Sequence, residues 1–370
     1  MTPVEAVEDA SALSRVYTPG VAGACRAIAA DLDASWRLTT RGNSVAVASD
    51  GSAVLGLGDI GSHAALPVLE GKAALLKRFA GIDGWPLCLD VRDPAEMAHC
   101  IAAVAAGFGG VCLEDIAAPR CFAVERHLQE TIDVPVIHDD QHGTAIVVLA
   151  ALQNALRLTG KSAESARIVV VGAGAAGTAI VRLLKVWGVS RIAVYDINGL
   201  VHPGRDDVGG HADVGGHREW LAGNTQPDSG AATVGDALDG ADVFIGVSGP
   251  GVIGAADIRK MADQPVIFAL ANPDPEVDPG QAREHATVVA TGRSDEPNQI
   301  NNVLAFPGLF RGLLDCRARE LTVAARCAAA RAIAGTVSPT DLDAEHIVPS
   351  VFDEKLVPAV AAAVAQECRR

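Results

Sequence analysis

Basic residues are in short supply in this chain. Lysines and arginines number 30 against 45 aspartates and glutamates, a net charge of −15 over 370 residues. Nucleic acid and anionic membranes as partners call for a positive surface, so this balance argues against both. No run of about 18 apolar residues occurs, which excludes a membrane-spanning helix. The first ten residues, MTPVEAVEDA, are acidic and lack an apolar core, so they do not read as a secretory leader. Eight cysteines are scattered without a Cys-x-x-Cys pair, the pattern of free thiols in a reducing cytoplasm. Tyrosine is rarer still, with two in the chain. One of them, Tyr17, opens Tyr17-Thr18-Pro19-Gly20, where Pro-Gly fits the central positions of a type II turn.

Apolar residues are plentiful. At 49% hydrophobic and 20% charged, the chain can bury sizeable cores in about two domains. After a helical, loop-rich start over 1–40, strands and helices alternate. Residues 44–47 read as a strand followed by a hairpin turn at Asp50-Gly51. Gly56, Gly58 and Gly61 then let the backbone approach a ligand or another strand closely. A helix over 67–79 carries Lys72 among small and apolar neighbours, a setting that can lower a lysine's pKa and make it a general base. Strands at 86–89 and 109–113 alternate with helices at 94–106 and 121–130. Such alternation implies a parallel sheet covered by helices, with ligand-binding residues just after the strands.

Two acidic pairs occupy such strand ends. Glu114-Asp115 follows the 109–113 strand, and Asp139-Asp140 follows the apolar run Val134-Pro135-Val136-Ile137. Adjacent carboxylates repel unless a cation or an ammonium group neutralises them. Three or four carboxylate oxygens gathered there suit a hard divalent cation, Mg²⁺ or Mn²⁺. Gly143 and Thr144 then open a long apolar helix that runs to about Leu158.

Gly160-Lys161 marks a boundary. The strand at 166–171 ends in Gly172-Ala173-Gly174-Ala175-Ala176-Gly177, and a helix at 178–187 and a strand at 191–195 lead to Asp196. A G-x-G-x-x-G run between strand and helix, with an acid 24 residues beyond its first glycine, is a dinucleotide fingerprint. Gly172 makes the turn, Gly174 admits the pyrophosphate and Gly177 lets helix and strand close up. Asp196 would accept from the adenosine ribose and repel a 2′-phosphate, favouring NAD over NADP. Strands at 241–247, 266–270 and 287–290 form the second half of the unit. Asn272 stands at a strand end before Pro273, and an amide run reaches Asn301-Asn302; amides offer neutral donors to a carboxylate or carboxamide. The near-repeat 207–211 and 213–217, rich in glycine and histidine, reads as a duplicated surface loop. Ala-rich helices over about 308–335 and 355–366 close the chain.

The motifs YTPGVA (17–22), SDGSAVLGLGDIG (49–61), PVLEGKA (67–73), GGVCLEDIAAPRCF (109–122), VIHDDQHGTAIV (136–147), GAGAAG (172–177), ANPDPEV (271–277) and PNQINNVLAFPG (297–308) together resemble the malic enzymes in their short bacterial form. They cover nearly the whole chain in family order. The resemblance implies an α/β fold. An N-terminal α/β domain over 1–150 would carry substrate, metal and dimerisation. A Rossmann-type, doubly wound parallel-sheet NAD domain would span 151–305. C-terminal helices over 306–370 would pack back on the first domain. It also implies oxidative decarboxylation of L-malate to pyruvate and CO₂ with NAD, or NADP, and with Mg²⁺ or Mn²⁺, in a homodimer.

Carried over motif by motif, Tyr17 matches the general acid and Lys72 the general base, with Asp139 as the acid that partners the lysine. Glu114, Asp115 and Asp140 match the metal ligands. Asn272 and Asn302 match amides at the substrate and nicotinamide end, and Thr144 joins Gly172 to Gly177, Asp196 and Asn272 around the cofactor. The chemistry is consistent with those roles. A base must take the hydroxyl proton as hydride leaves C2, a Lewis acid stabilises enolate charge after CO₂ departs, and a phenol returns a proton to C3. Two positions depart from relatives: Ala53 stands where eukaryotic members carry an arginine for malate, and Glu296 where many bacterial members carry an aromatic residue. A malolactic enzyme, converting malate to lactate with NAD retained, would use the same motifs. An inactive NAD-binding sensor would have lost one of the catalytic or metal positions, and all are present.

Overall fold

The strands divide into two sheets in this computed structural model, which describes residues 6–209, 216–225 and 231–368. In the first, β1 (Ser44–Ser49), β2 (Asp83–Cys88), β3 (Gly110–Leu113) and β4 (Val136–His138) lie in the order β2-β1-β3-β4, all parallel. The chain leaves β1 in one direction to reach β2, then crosses back to β3 on the other side. Loops that leave the carboxyl ends of β1 and β3 therefore diverge, which opens a crevice between them. Because every partner of β1 is parallel, Asp50-Gly51 does not make the expected hairpin; it starts a loop whose Ile60 and Gly61 N–H groups return to the Gly51 carbonyl. Nor is there a type II turn at Pro19-Gly20. Gly20 has φ −56°, whereas that turn needs positive φ at its third residue.

The second sheet comprises β5 (Arg167–Val171), β6 (Arg191–Asp196), β7 (Gly199–Leu200), β8 (Val243–Gly246), β9 (Val266–Ala269) and β10 (Val288–Thr291), in the order β10-β9-β8-β5-β6-β7. All pairs are parallel except the short edge pair β6–β7. The order reverses between β5 and β8, the switch point of a Rossmann-type sheet. Gly172, just past β5, has φ +117°, and a Cβ there would strike the Val247 carbonyl at 2.5 Å. Only glycine lets the two diverging loops meet so closely.

The Asp139–Leu158 helix links the two sheets and passes residue 150 without a break. It begins at Asp139, earlier than the expected start at Gly143, because two carboxylates in its first turn suit the positive end of the helix dipole. It is apolar on almost every side and buried accordingly. The helix after β5 likewise starts early, at Ala175, directly on the glycine loop. Of the last helices, Phe306–Cys316 packs against Ser62–Ala80, Val323–Thr336 runs along Asp139–Leu158, and Leu356–Cys368 lies against the other two. No described helix is long and apolar enough to cross a membrane.

One polar pin ties this C-terminal layer down. Asn154, fully buried, donates to the Ala334 carbonyl at 3.0 Å and the Ile347 carbonyl at 2.9 Å. Asn154→Leu would leave both carbonyls buried without a donor. It is expected to lower stability by roughly 1–3 kcal/mol in chemical denaturation and to expose the segment after Ala334 to limited proteolysis.

Candidate active site

Parallel register assembles the acids. Leu113 pairs with His138, so the next residues, Glu114 and Asp139, leave the sheet side by side. Asp115 and Asp140 follow, and the Asp115 N–H donates to Asp140 Oδ2 at 2.8 Å. Asp115 has φ +53°, a left-handed conformation that aspartate tolerates better than most residues. Oxygens of Glu114, Asp115 and Asp140 all lie within 4.8 Å of one another. Glu114 Oε2 and Asp115 Oδ2 are buried and accept no hydrogen bond. Orphaned carboxylate oxygens in the interior are costly, and three hard oxygen donors at this spacing fit a divalent cation.

Lys72 reaches the same point from the Ser62–Ala80 helix. Its buried face reads Ser62, Ala65, Leu69, Lys72, Leu76, steps of three and four residues that place the lysine in the apolar stripe. The ammonium pairs with Asp139, lies 2.8 Å from Glu114 Oε1 and sits 4.2 Å from the centre of the Phe306 ring. The protein's own acids act against a depressed lysine, so the lowering expected of a general base would have to come from a bound cation. Burial by itself would lower the Lys72 pKa, but Asp139 and then Glu114 outweigh it and hold the lysine well above its ordinary value. The acids outnumber the cations here. Burial, reinforced by neighbouring carboxylates, pushes Glu114 well up against the pull of Lys72, and pushes Asp115 up to about 7.

The cluster opens onto a crevice of about 680 Å³ between the two sheets. Asp115, Asp140, Thr144, Gly174, Ala175, Ala176, Asn272 and Asn302 line it, so two of the three expected metal acids, both amides and half of the glycine loop share one space, while Glu114, Lys72, Asp139, Gly172, Ala173 and Gly177 do not line it. Ala53 lines it too, and no lysine or arginine does among the described residues. Gly56, with φ +75°, closes one wall; a Cβ there would meet the Pro273 ring at 2.7 Å. Asp196 lies apart, in a side pocket of about 170 Å³ with Ala173, Gly174, His217 and Arg218. Its two oxygens accept from Arg205 at 2.8 and 2.9 Å, an arginine from the loop that follows, which also donates to Asp207 and so divides its charge between two carboxylates. Residues 210–215, half of the glycine-histidine repeat and the residue between its two units, lie outside the described residues. Glu296 pairs with Arg283.

Tyr17 is not among the residues lining the crevice. It caps the Ala10–Val16 helix and is 67% exposed, near exposed Leu13, Val16 and Val21. A larger groove of about 1030 Å³, between Arg78, Phe352 and the Leu356–Cys368 helix, contains none of the expected site residues.

Two family models match the chain: the malic enzyme NAD-binding domain over residues 141–369 and the malic enzyme N-terminal domain over residues 2–99. The chain belongs to the malic enzyme family. The NAD-dependent malic enzyme of Geobacillus stearothermophilus is 51% identical over 100% of this chain and 75% of its own length. A bifunctional malic/malolactic enzyme of Bacillus subtilis is 49% identical over 97% of this chain and 87% of its own. An NADP-dependent malic enzyme of Halomonas elongata is 45% identical over 96% and 86%. Among solved structures, the NAD-dependent malic enzyme of Thermotoga maritima superposes with a TM-score of 0.92 at 45% identity, covering 99% of this chain and 95% of that one.

Among the buried polar residues to which the motifs of this malic enzyme gave no role is Glu276. Glu276 is fully buried and bridges two loops of the crevice: Oε1 accepts from the Ser248 N–H at 2.8 Å and Oε2 from the Ala271 N–H at 3.1 Å. It shares ANPDPEV with Asp274, which is exposed, and the motif itself gave no sign of which acid is buried. Glu276→Gln keeps the size but turns an NH₂ toward one of those donors. It is expected to weaken dinucleotide binding by roughly 1–3 kcal/mol, read as loss of NADH fluorescence enhancement, with Mn²⁺ binding unchanged.

Proposed function

We infer that this malic enzyme oxidises L-malate and decarboxylates it to pyruvate and CO₂ while reducing NAD(P). The observation that carries the reading is the meeting of the Lys72–Asp139 pair with the Glu114, Asp115, Asp140 cluster, whose Asp115 and Asp140 line the glycine-loop crevice. Glu114, Asp115 and Asp140 are proposed to hold Mg²⁺ or Mn²⁺. A cation bound there would act as a Lewis acid on the substrate oxygens, and its charge would lower the Lys72 pKa toward that of a base. Lys72, oriented by Asp139, takes the hydroxyl proton. Asn272 and Asn302 orient the carboxylates in place of the arginine that Ala53 does not supply. The glycine loop and the first turn of the Ala175–Trp187 helix take the pyrophosphate, and Asp196 takes the ribose. We propose NAD as the preferred cofactor, although Arg205 weakens the repulsion that Asp196 would direct at a 2′-phosphate.

A homodimer fits the position of Tyr17. We propose that this phenol, exposed on an apolar face, protonates C3 in the crevice of a second copy. The eight unpaired cysteines support a reducing, cytoplasmic setting. The division at about residues 150 and 305 is kept as the proposed domain scheme, with each sheet inside one unit.

The malolactic reading stays open because one relative is named for both activities. Purified protein with malate, Mn²⁺ and NAD or NADP should yield pyruvate and reduced cofactor in equal amounts; lactate without net NADH would favour the alternative. Lys72→Ala should abolish malate oxidation while NADH still binds. Tyr17→Phe should slow pyruvate formation more than oxaloacetate reduction, and full activity in that variant would remove Tyr17 from the mechanism. Mixing the two variants should restore about a quarter of wild-type activity, because half the dimers are mixed and each has one intact site. No recovery would deny a shared site.

A further inference from the structure

The sequence VIHDDQH buries three polar side chains that no step above employs, and they meet behind Asp140. Asp140 Oδ2 accepts the Asp115 N–H and lies 3.1 Å from Nε2 of His138, the last residue of β4. The His138 side chain is fully buried, and its Nε2 has no aligned hydrogen-bond acceptor; Asp140 is the carboxylate within reach.

On the other edge of the ring, Nδ1 lies 3.0 Å from Nε2 of Gln141, and that same amide nitrogen is 3.0 Å from Oε2 of Glu125. A carboxylate only accepts, so Gln141 must present its NH₂ to Glu125, and this NH₂ also faces His138. Nδ1 is therefore the acceptor and Nε2 carries the ring proton, aimed to the Asp140 side. Glu125 is anchored in turn. Its Oε1 accepts the His138 N–H at 3.1 Å and His142 Nε2 at 2.8 Å. Glu125, Gln141, His138 and His142 are all buried.

We propose that Glu125, Gln141 and His138 form a positioning chain that occupies one oxygen of Asp140 and so leaves the other fixed and free for a divalent cation. The proposal rests on Asp140 being a cation ligand. A ligand carboxylate free to rotate must be ordered at each binding event, whereas one held from behind is ready. Loss of such outer partners typically costs about 10- to 100-fold in metal affinity.

Mn²⁺ binding, followed by the electron paramagnetic resonance signal of the free ion, tests this without turnover, with NADH binding and the melting temperature as controls for folding. His138→Ala should bind Mn²⁺ about 10- to 100-fold more weakly and NADH normally. His138→Gln, whose amide can donate from the Nε2 position, should recover to within about threefold of wild type. Gln141→Leu frees the ring to hold its proton on the wrong nitrogen and should weaken Mn²⁺ by about tenfold. If His138→Ala fails to fold, the other two variants decide the matter. Mn²⁺ affinity within about twofold of wild type in His138→Ala or Gln141→Leu would overturn the proposal. So would a folded His138→Gln that binds no more tightly than His138→Ala. Wild-type protein that binds no Mn²⁺ would sink the cation reading itself, and the chain with it.

Discussion

The site depends on one buried ammonium. Glu114, Asp115, Asp139 and Asp140 converge at two adjacent strand ends, and four carboxylates could not be withdrawn from water together without positive charge among them. Lys72 supplies it, pairing with Asp139 and lying against Glu114. One charge does not balance four. The surplus is visible in the raised Glu114 and Asp115 and in carboxylate oxygens that accept nothing. A cluster short of positive charge and rigidly walled suits the divalent cation proposed for it, and its carboxylates hold the lysine above its ordinary pKa.

The two sheets turn this cluster into a reaction space. Each has its strand order reversed at one point, so each opens a crevice at its carboxyl edge, and the Asp139–Leu158 helix joins them with both crevices facing one volume. The first sheet brings acids and the lysine. The second brings the glycine loop and amides. Close contacts hold the walls at fixed spacing: Gly56 against Asn272-Pro273, Gly172 against Val247, and Glu276 gripping the loops after β8 and β9. Tyr17, by contrast, sits at an exposed surface on a helix with little of its own packing.

Much of this was legible in the residues. The hydrophobic runs and glycine punctuation announced alternating strands and helices, and G-A-G-A-A-G between a strand and a helix announced the dinucleotide loop, because those residue types are required by backbone geometry alone. The acidic pairs and the amide run were visible for the same reason: such groups are costly to place without a partner. Boundaries were less legible. The Asp139–Leu158 helix absorbed Asp139 and Asp140 into its first turn because its dipole favours them there, and Asp50-Gly51 made no hairpin because pairing partners come from far along the chain.

By itself, then, the sequence determined the element types, the cofactor loop, the acids and the family, since these follow from local pattern and residue chemistry. Tertiary structure alone decided that Leu113 pairs with His138, which sets Glu114 beside Asp139; that Lys72 is buried between Asp139 and Glu114; that Arg205 reaches Asp196; and that Glu125, Gln141 and His138 stand behind Asp140. Each of these is a relation between residues distant in the chain or a balance of charges at a few ångströms. Neither is encoded in spacing along the chain, because register and burial are fixed only when the sheets close.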